Sequence, residues 1–314
     1  MIYPAECASS RRVRGTEIVA VRFVVVPQWQ GSASSRAMRL ADGANAIMGD
    51  LPSSRTTFVE VPLGAGEALG TGIARLSSLQ IVRDRISDVL RRLPGEPGEA
   101  PVAFEPTVLI GGDCGIELAG VEHVLKSGET SGDAPPALVW FDANPDLHSP
   151  ATSPSHAFCG MVARAILGDG TAGLVSSPAL PSRNLVLAGL RSADDAEEEY
   201  IRDNGVQVVT TDDLEDENAL VAAVEATGAT SVYIHIDLDV LDPSVISGLS
   251  DPQPFGLELA TLVTHLRALL GRFSLAGAGI AMFSPESPDA AGGDLPTVLR
   301  ILSALTSPPV AVSA

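Results

Sequence analysis

Lysine is almost absent from this chain. Lys126 is the only one among 20 basic residues, against 39 acidic residues, and the formal net charge is −19. A surface of that sign repels phosphate backbones, which excludes nucleic acid as a partner and leaves metal ions and cationic small molecules open. Cysteine is scarce as well. Cys7, Cys114 and Cys159 are odd in number and far apart, which argues against a disulfide framework and for a reducing cytoplasm. No apolar run reaches membrane-spanning length, so no membrane partner is expected. Residues 1–16 carry Arg11, Arg12 and Arg14 with no apolar stretch after them, and read as a frayed tail rather than a signal peptide.

What the chain does have is a sizeable apolar fraction, 45% of 314 residues. Apolar, β-branched runs recur at 18–26, 56–61, 107–110, 137–141, 184–189, 206–209, 231–236 and 275–281. They are continuous rather than alternating, as strands buried on both faces are. Amphipathic segments lie between them at 76–93, 115–126, 194–204, 212–227 and 257–270. Alternation of strand and helix predicts an α/β fold with a mostly parallel sheet, and no internal break divides residues 17–314, which are expected to form one domain. The stretches 94–101 and 167–183 read as surface loops. In open parallel sheets ligands bind beyond the carboxyl ends of the strands, so the residues just after each run carry the functional information.

Three of those ends are polar. "LIGGDCG" places Asp113 and Cys114 after a glycine turn, "FDANPDLH" carries Asp142, Asn144, Asp146 and His148, and "IDLDVLDP" carries Asp237, Asp239 and Asp242. Two neighbouring loops add Ser155, His156 and Cys159, then Arg191, Asp194 and Asp195. If the strand ends are adjacent, Asp142, Asp146, Asp237 and Asp239 share a small volume. Uncompensated, they repel, and some must stay protonated. One or two divalent cations remove the conflict. Oxygen-rich sites suit Mn, Mg or Ca, and a thiolate moves the preference towards Zn, Fe or Co. A single D-x-D is more often an ordinary turn, but D-x-x-x-D and D-x-D on separate strands after a G-G-D turn favour a metal site. His235, on an apolar strand, and His265, on a helix, read as core or surface residues. Trp29 and Trp140 read as packing residues.

Taken in order, "GGDCG", "WFDANPDL", "SPS", "GM", "GLRS", "HIDLDVLDP" and "GAGI" resemble the ureohydrolase superfamily, the arginase and agmatinase group, over about residues 20–305. The resemblance implies a three-layer α/β/α fold around an eight-stranded, mostly parallel sheet. It implies a dinuclear manganese centre whose bridging hydroxide attacks a guanidinium carbon and releases urea, and it implies a trimer or hexamer. Residue by residue, Asp142 and Asp237 match the aspartates bridging both metals, Asp146 a ligand of the first and Asp239 a ligand of the second. Asp194 matches a carboxylate that holds the substrate's amino group, and Asp113 stands behind the ligands. Cys114 and Asn144 stand where histidine ligands are common, and Cys159 where a proton-shuttling histidine is found. Met282 stands where a glutamate grips the guanidinium, His148 where an asparagine helps hold the substrate carboxylate, and Ala157 where another polar pocket residue is found.

A thioether cannot accept the paired charge-assisted bonds of a guanidinium. Each lost charged, oriented partner costs roughly 2–4 kcal/mol of transition-state stabilisation, so efficient hydrolysis of arginine is not expected. Three readings follow. In the first, the chain is a divergent metal-dependent C–N hydrolase acting on a modified guanidino, ureido or amidine compound, with one or two weakly held ions and with Asp194, Met282, Ser155 and His156 around the substrate. In the second, it is a pseudoenzyme scaffold that binds a ligand or regulates an active paralogue. In the third, Cys114 or Cys159 is a nucleophile with His148 or His156 as base, although a thiol among carboxylates has its pKa raised. Glu286, four residues past Met282, offers a carboxylate in partial replacement of the missing glutamate.

Overall fold

The computed structural model describes residues 21–93 and 105–306. The expected tail 1–16 with Cys7, the loop 94–101, and the first three residues of the run 18–26 lie outside the described residues. Among the described residues, eight strands form one sheet: β1 (Arg22–Val26), β2 (Thr56–Phe58), β3 (Thr107–Gly111), β4 (Ala137–Phe141), β5 (Leu185–Leu190), β6 (Gln207–Thr210), β7 (Ser231–Asp237) and β8 (Ser274–Ala281). Their order is β2-β1-β3-β8-β7-β4-β5-β6, and every neighbouring pair is parallel. The continuous apolar runs of the sequence are explained by this arrangement. All five residues of β4 are buried, because helices cover both faces of the sheet.

Successive strand residues point to opposite faces. Val139 and Phe141 of β4 join Ile234 and Ile236 of β7 in the core under α1 (Arg39–Met48), α6 (Ala219–Thr227), α7 (Leu259–Arg272) and α8 (Pro288–Thr306). Leu138 and Trp140 face the other way with Tyr233, under α3 (Glu117–Ser131), α4 (Val162–Ile166) and α5 (Asp195–Asn204). The helix α2 (Leu76–Arg92) closes that second layer over Val24 and Val26. The result is the expected three-layer α/β/α sandwich.

Three helices were not visible in the sequence. α1 and the five-residue α4 are short, and α8 contains Gly292, Gly293 and Pro296, residues that lower helix propensity. Burial overrides propensity in α8: Val298, Ile301 and Leu305 pack into the core beneath the sheet. The predicted helix 212–227 is a 3-10 turn at Asp213–Glu215 followed by a helix only from Ala219. The segment 167–183 is irregular as read, but it is not confined to the surface, since Leu174 and Leu180 are buried against α4.

Ile301 is fully buried. Ile301→Ala is therefore expected to destabilise the protein by about 2–5 kcal/mol, measured by urea unfolding. A loss within about 0.5 kcal/mol, the range of surface substitutions, would show that α8 does not contribute to the core.

Candidate metal centre

The strand order brings β3, β8, β7 and β4 side by side at the centre of the sheet, and the polar ends of β3, β7 and β4, with Met282 after β8, form the site. Register sets the pairing. Trp140 lies opposite His235 and Phe141 opposite Ile236, so Asp142 and Asp237 leave their strands at the same level. At β3 the chain turns sharply through Gly112, where a Cβ would lie 1.6 Å from the Gln28 carbonyl oxygen. Only glycine permits that approach, and it delivers Asp113 and Cys114 to the site. Asp113 is buried and accepts hydrogen bonds from Gln28 Nε2 at 2.7 Å, the Gly31 amide at 2.8 Å and the Gly115 amide at 2.9 Å. Burial raises its pKa to about 6 against the pull of these bonds. Asp113 therefore ties the loop after β1 to the turn after β3.

The four aspartates do converge. Asp142, Asp146, Asp237 and Asp239 are all buried. Asp142 accepts from the Asn144 amide at 2.7 Å and from Trp140 Nε1 at 3.1 Å. Asp237 accepts from the Asp239 amide at 2.8 Å and from the Cys114 thiol at 3.2 Å. Asp239 accepts from the Ala143 amide at 3.1 Å and from Asn144 Nδ2 at 3.4 Å. Asp146 Oδ2 is buried and has no hydrogen-bond partner among the described residues. Burial, and then the neighbouring carboxylates, push Asp142, Asp146 and Asp237 well above the usual carboxylate range. Burial also raises Asp239. An unpartnered buried oxygen among mutually repelling carboxylates is the signature of a cation site, and these residues fit a divalent ion. Asp242 does not join them. Its oxygens accept from the amides of Ser244 and Gly256, and it is a turn residue.

Above the aspartates opens a cleft of about 440 Å³ lined by Cys114, Asn144, Asp146, Cys159, Glu197 and Met282, among others. His148 and Ser155 also line it. Burial, then the neighbouring carboxylates, push the Cys114 and Cys159 thiols well up. Met282 sits in the cleft at φ 66° and Asp146 at φ 53°, left-handed backbone that non-glycine residues rarely adopt. Asp194 caps α5, its Oδ1 accepting from the amides of Ala196 and Glu197, while its Oδ2 faces His148 Nε2 at 3.4 Å. Asp142, Ala157 and Asp194 are not part of the cleft lining, nor are His156 and Glu286: His156 turns to the Gly72 carbonyl at 3.0 Å, and Glu286 is exposed.

Glu197 was missed and His235 read as bland, while Arg191 was named without a role. Glu197 lines the cleft, accepts from the Leu147 amide at 3.2 Å and stands 3.7 Å from His148. The spacing D-x-x-E at a helix start was its signal. Arg191 spreads its guanidinium over the carbonyls of Gly189, Asp239, Val240, Gln253 and Pro254 and so fixes the loop that carries Asp239. His235 is fully buried beneath the cleft, and its place two residues before Asp237 on β7 puts both on one face.

Fold and site together define a class: a parallel α/β/α protein with a cation-demanding aspartate cluster at the carboxyl ends of its central strands. Comparison with known proteins makes the class specific. Residues 32–293 match the model of the Arginase family, and the chain belongs to that family. It is 30% identical over 209 residues to an arginase of Bacillus caldovelox, covering 63% of this chain and 67% of that one. Its fold superposes on an Entamoeba histolytica arginase crystallised with L-ornithine with a TM-score of 0.78 at 21% identity, covering 92% of this chain and 99% of that one. It superposes on a proclavaminate amidino hydrolase of Streptomyces clavuligerus with a TM-score of 0.66 at 21% identity, covering 92% of each chain.

Carboxylates held above their ordinary pKa bind protons in the folded state that the unfolded chain has released. Without a cation, stability therefore falls as pH rises out of the ordinary carboxylate range. Chelator-treated protein is expected to melt higher at about pH 5 than at about pH 7.5, and Zn, Co or Mn to raise the neutral-pH melting temperature. An inverted order by calorimetry, with no effect of added metal, would remove the cation from the site.

Proposed function

We propose that this chain is a divergent metal-dependent C–N hydrolase whose substrate carries a neutral or weakly basic amidine, ureido or modified guanidino group, and that it is inefficient on arginine. The observation that carries this reading is Met282 lining the cleft that opens over the aspartates. A thioether there offers no carboxylate to a guanidinium, and a cation without a partner at a desolvated position loses the charge-assisted pair that would bind it. A neutral reacting group loses nothing. The Arginase family match and the fold likeness to a proclavaminate amidino hydrolase agree with C–N hydrolysis at an amidine-type carbon.

Asp142, Asp237 and their neighbours would hold a divalent cation. When bound, it supplies a nucleophile at neutral pH by lowering the pKa of water. The chain's own residues do the rest. Glu197 and Asp194, facing His148 on one side of the cleft, form a polar wall that receives the charged end of a substrate. His148 is the proton carrier within reach of it, in place of the absent histidine at Cys159. Ser155, on the cleft lining, offers a hydroxyl. The raised thiol pKa values of Cys114 and Cys159 count against a cysteine nucleophile, since the thiolate is the reactive form.

The scaffold reading has one observation of its own. Asn144 turns its amide nitrogen to Asp239, a neutral substitute for a cation there. A single experiment separates the two. Purified protein loaded with Mn, Co or Zn is screened against paired guanidino and ureido or amidine compounds. The hydrolase reading expects kcat/KM for a neutral member to exceed that for arginine by about tenfold or more, and Met282→Glu to shift the preference back by about 2–4 kcal/mol. If the parent turns over nothing while the variant Asn144→His, Cys159→His, Met282→Glu gains arginase activity, the scaffold reading holds.

A further inference from the structure

We propose that the chain binds one divalent cation in a rebuilt donor set, Cys114 Sγ, His235 Nε2 and one oxygen each from Asp142 and Asp237, in place of the two-ion manganese centre that the family resemblance implies. One ligand atom from each of these four buried residues lies within 4.8 Å of all the others. The inference needs a bound cation only, and stands whether or not the site turns over a substrate.

His235 carries the argument. It is fully buried, and its Nε2 has no hydrogen-bond partner among the described residues. Leaving a buried imidazole nitrogen unpaired costs about 1–3 kcal/mol, unless something absent from the protein alone takes its lone pair. The opposite nitrogen is held: Nδ1 lies 3.2 Å from Glu117 Oε1, and the Tyr233 hydroxyl donates to Glu117 Oε2 at 2.7 Å. A carboxylate behind one ring nitrogen fixes the tautomer, keeps the proton on Nδ1 and presents Nε2 as a bare donor, which is how metal-binding histidines are prepared. Trp140 stacks on the imidazole at 3.7 Å between ring centroids, and its Nε1 donates to Asp142. One side chain thus orients two of the four donors.

The surroundings are cut to fit this arrangement. A Cβ at Gly279 would lie 1.6 Å from Glu117 Oε1, and one at Gly120 would lie 2.3 Å from the Tyr233 hydroxyl. Both positions are open only because glycine occupies them. The imidazole missing at position 114 therefore reappears on β7, with its own carboxylate behind it. A thiol, an imidazole and two carboxylates form the mixed S, N, O set that selects Zn, Co or Fe(II) over Mn. Binding exchanges a proton for the ion: the Cys114 thiol, now donating to Asp237 at 3.2 Å, gives its proton to solvent, and Sγ takes the cation. The other half of the family's centre has no such replacement. Asp239 is left with the Ala143 amide and the neutral Asn144, so only one ion is held tightly.

The test is metal binding itself. Full-length protein is stripped, titrated with Co(II), and its metal content measured by mass spectrometry. About one equivalent is expected, with a thiolate charge-transfer band in the near ultraviolet. Cys114→Ser should lose that band. His235→Gln should keep it, with the visible cobalt bands displaced and affinity at least about tenfold lower. Glu117→Gln should lower affinity about 10–100-fold with the thiolate band intact. Asn144→Ala and His148→Ala should change neither stoichiometry nor spectrum. Because His235→Gln also alters a fully buried contact to Glu117, the wild-type Co(II) protein is read by NMR as well, where one strongly shifted imidazole N–H is expected and should persist in His148→Ala. Absence of that resonance, absence of the thiolate band, two equivalents with Mn bound more tightly than Zn, or no bound metal at all would each overturn the inference. Failure of the substrate screen would not touch it.

Discussion

Four carboxylates from the tips of two neighbouring strands cannot all be ionised in a dry interior, and the centre of this molecule is organised around that conflict. Backbone amides of Ala143, Asn144 and Asp239 and the Trp140 indole each relieve one oxygen. They leave Asp146 Oδ2 with nothing. Coulomb repulsion at contact distance in a poorly polarisable medium exceeds what single hydrogen bonds return, so protons or a cation must make up the difference. Other features serve the same point. The Gly112 turn delivers Cys114, Asp113 ties two loops beneath the site, and Arg191 holds the loop that carries Asp239. Asp146 and Met282 both keep left-handed backbone at the site, at roughly 1–2 kcal/mol each, a strain that persists only where the surroundings enforce it.

Seen through donor chemistry, the substitutions are coherent. The histidine-poor, cysteine-containing set is the ground for the proposed change of ion, and the neutral Met282 is the ground for the proposed change of substrate group. Neither change disturbs the sheet. The aspartates project from strand ends whose register is set by the parallel backbone pairing of β4 and β7 with each other and with β5 and β8, not by the ligands. A scaffold held by its backbone can exchange the side chains at its rim, which is why the chain keeps the fold of the Arginase family at about a fifth to a third of identical positions.

The strands were legible because each is a continuous apolar run, the simplest pattern to read in a doubly covered sheet. α8 was not, because Gly292, Gly293 and Pro296 speak against a helix and only packing against the sheet overrules them. Asp142, Asp146, Asp237 and Asp239 were legible as a group from spacing and resemblance. His235 was passed over because a histidine inside an apolar strand has no local mark of function. The two-residue offset from Asp237 shows a shared face, but the empty Nε2, the Glu117 carboxylate and the stacked Trp140 come from three other segments. His156 was named for its closeness in sequence to Cys159, yet a left-handed backbone at φ 56° turns it to Gly72.

By itself the sequence determined the alternation of strand and helix, the acidic surface and the residue types available to a site, because propensity, burial pattern and charge are properties of short segments. Which of those residues meet was decided by tertiary structure alone. The order β3-β8-β7-β4 places segments more than a hundred residues apart side by side, and only that proximity brings ligand atoms of two aspartates, a cysteine and an overlooked histidine within 4.8 Å of one another.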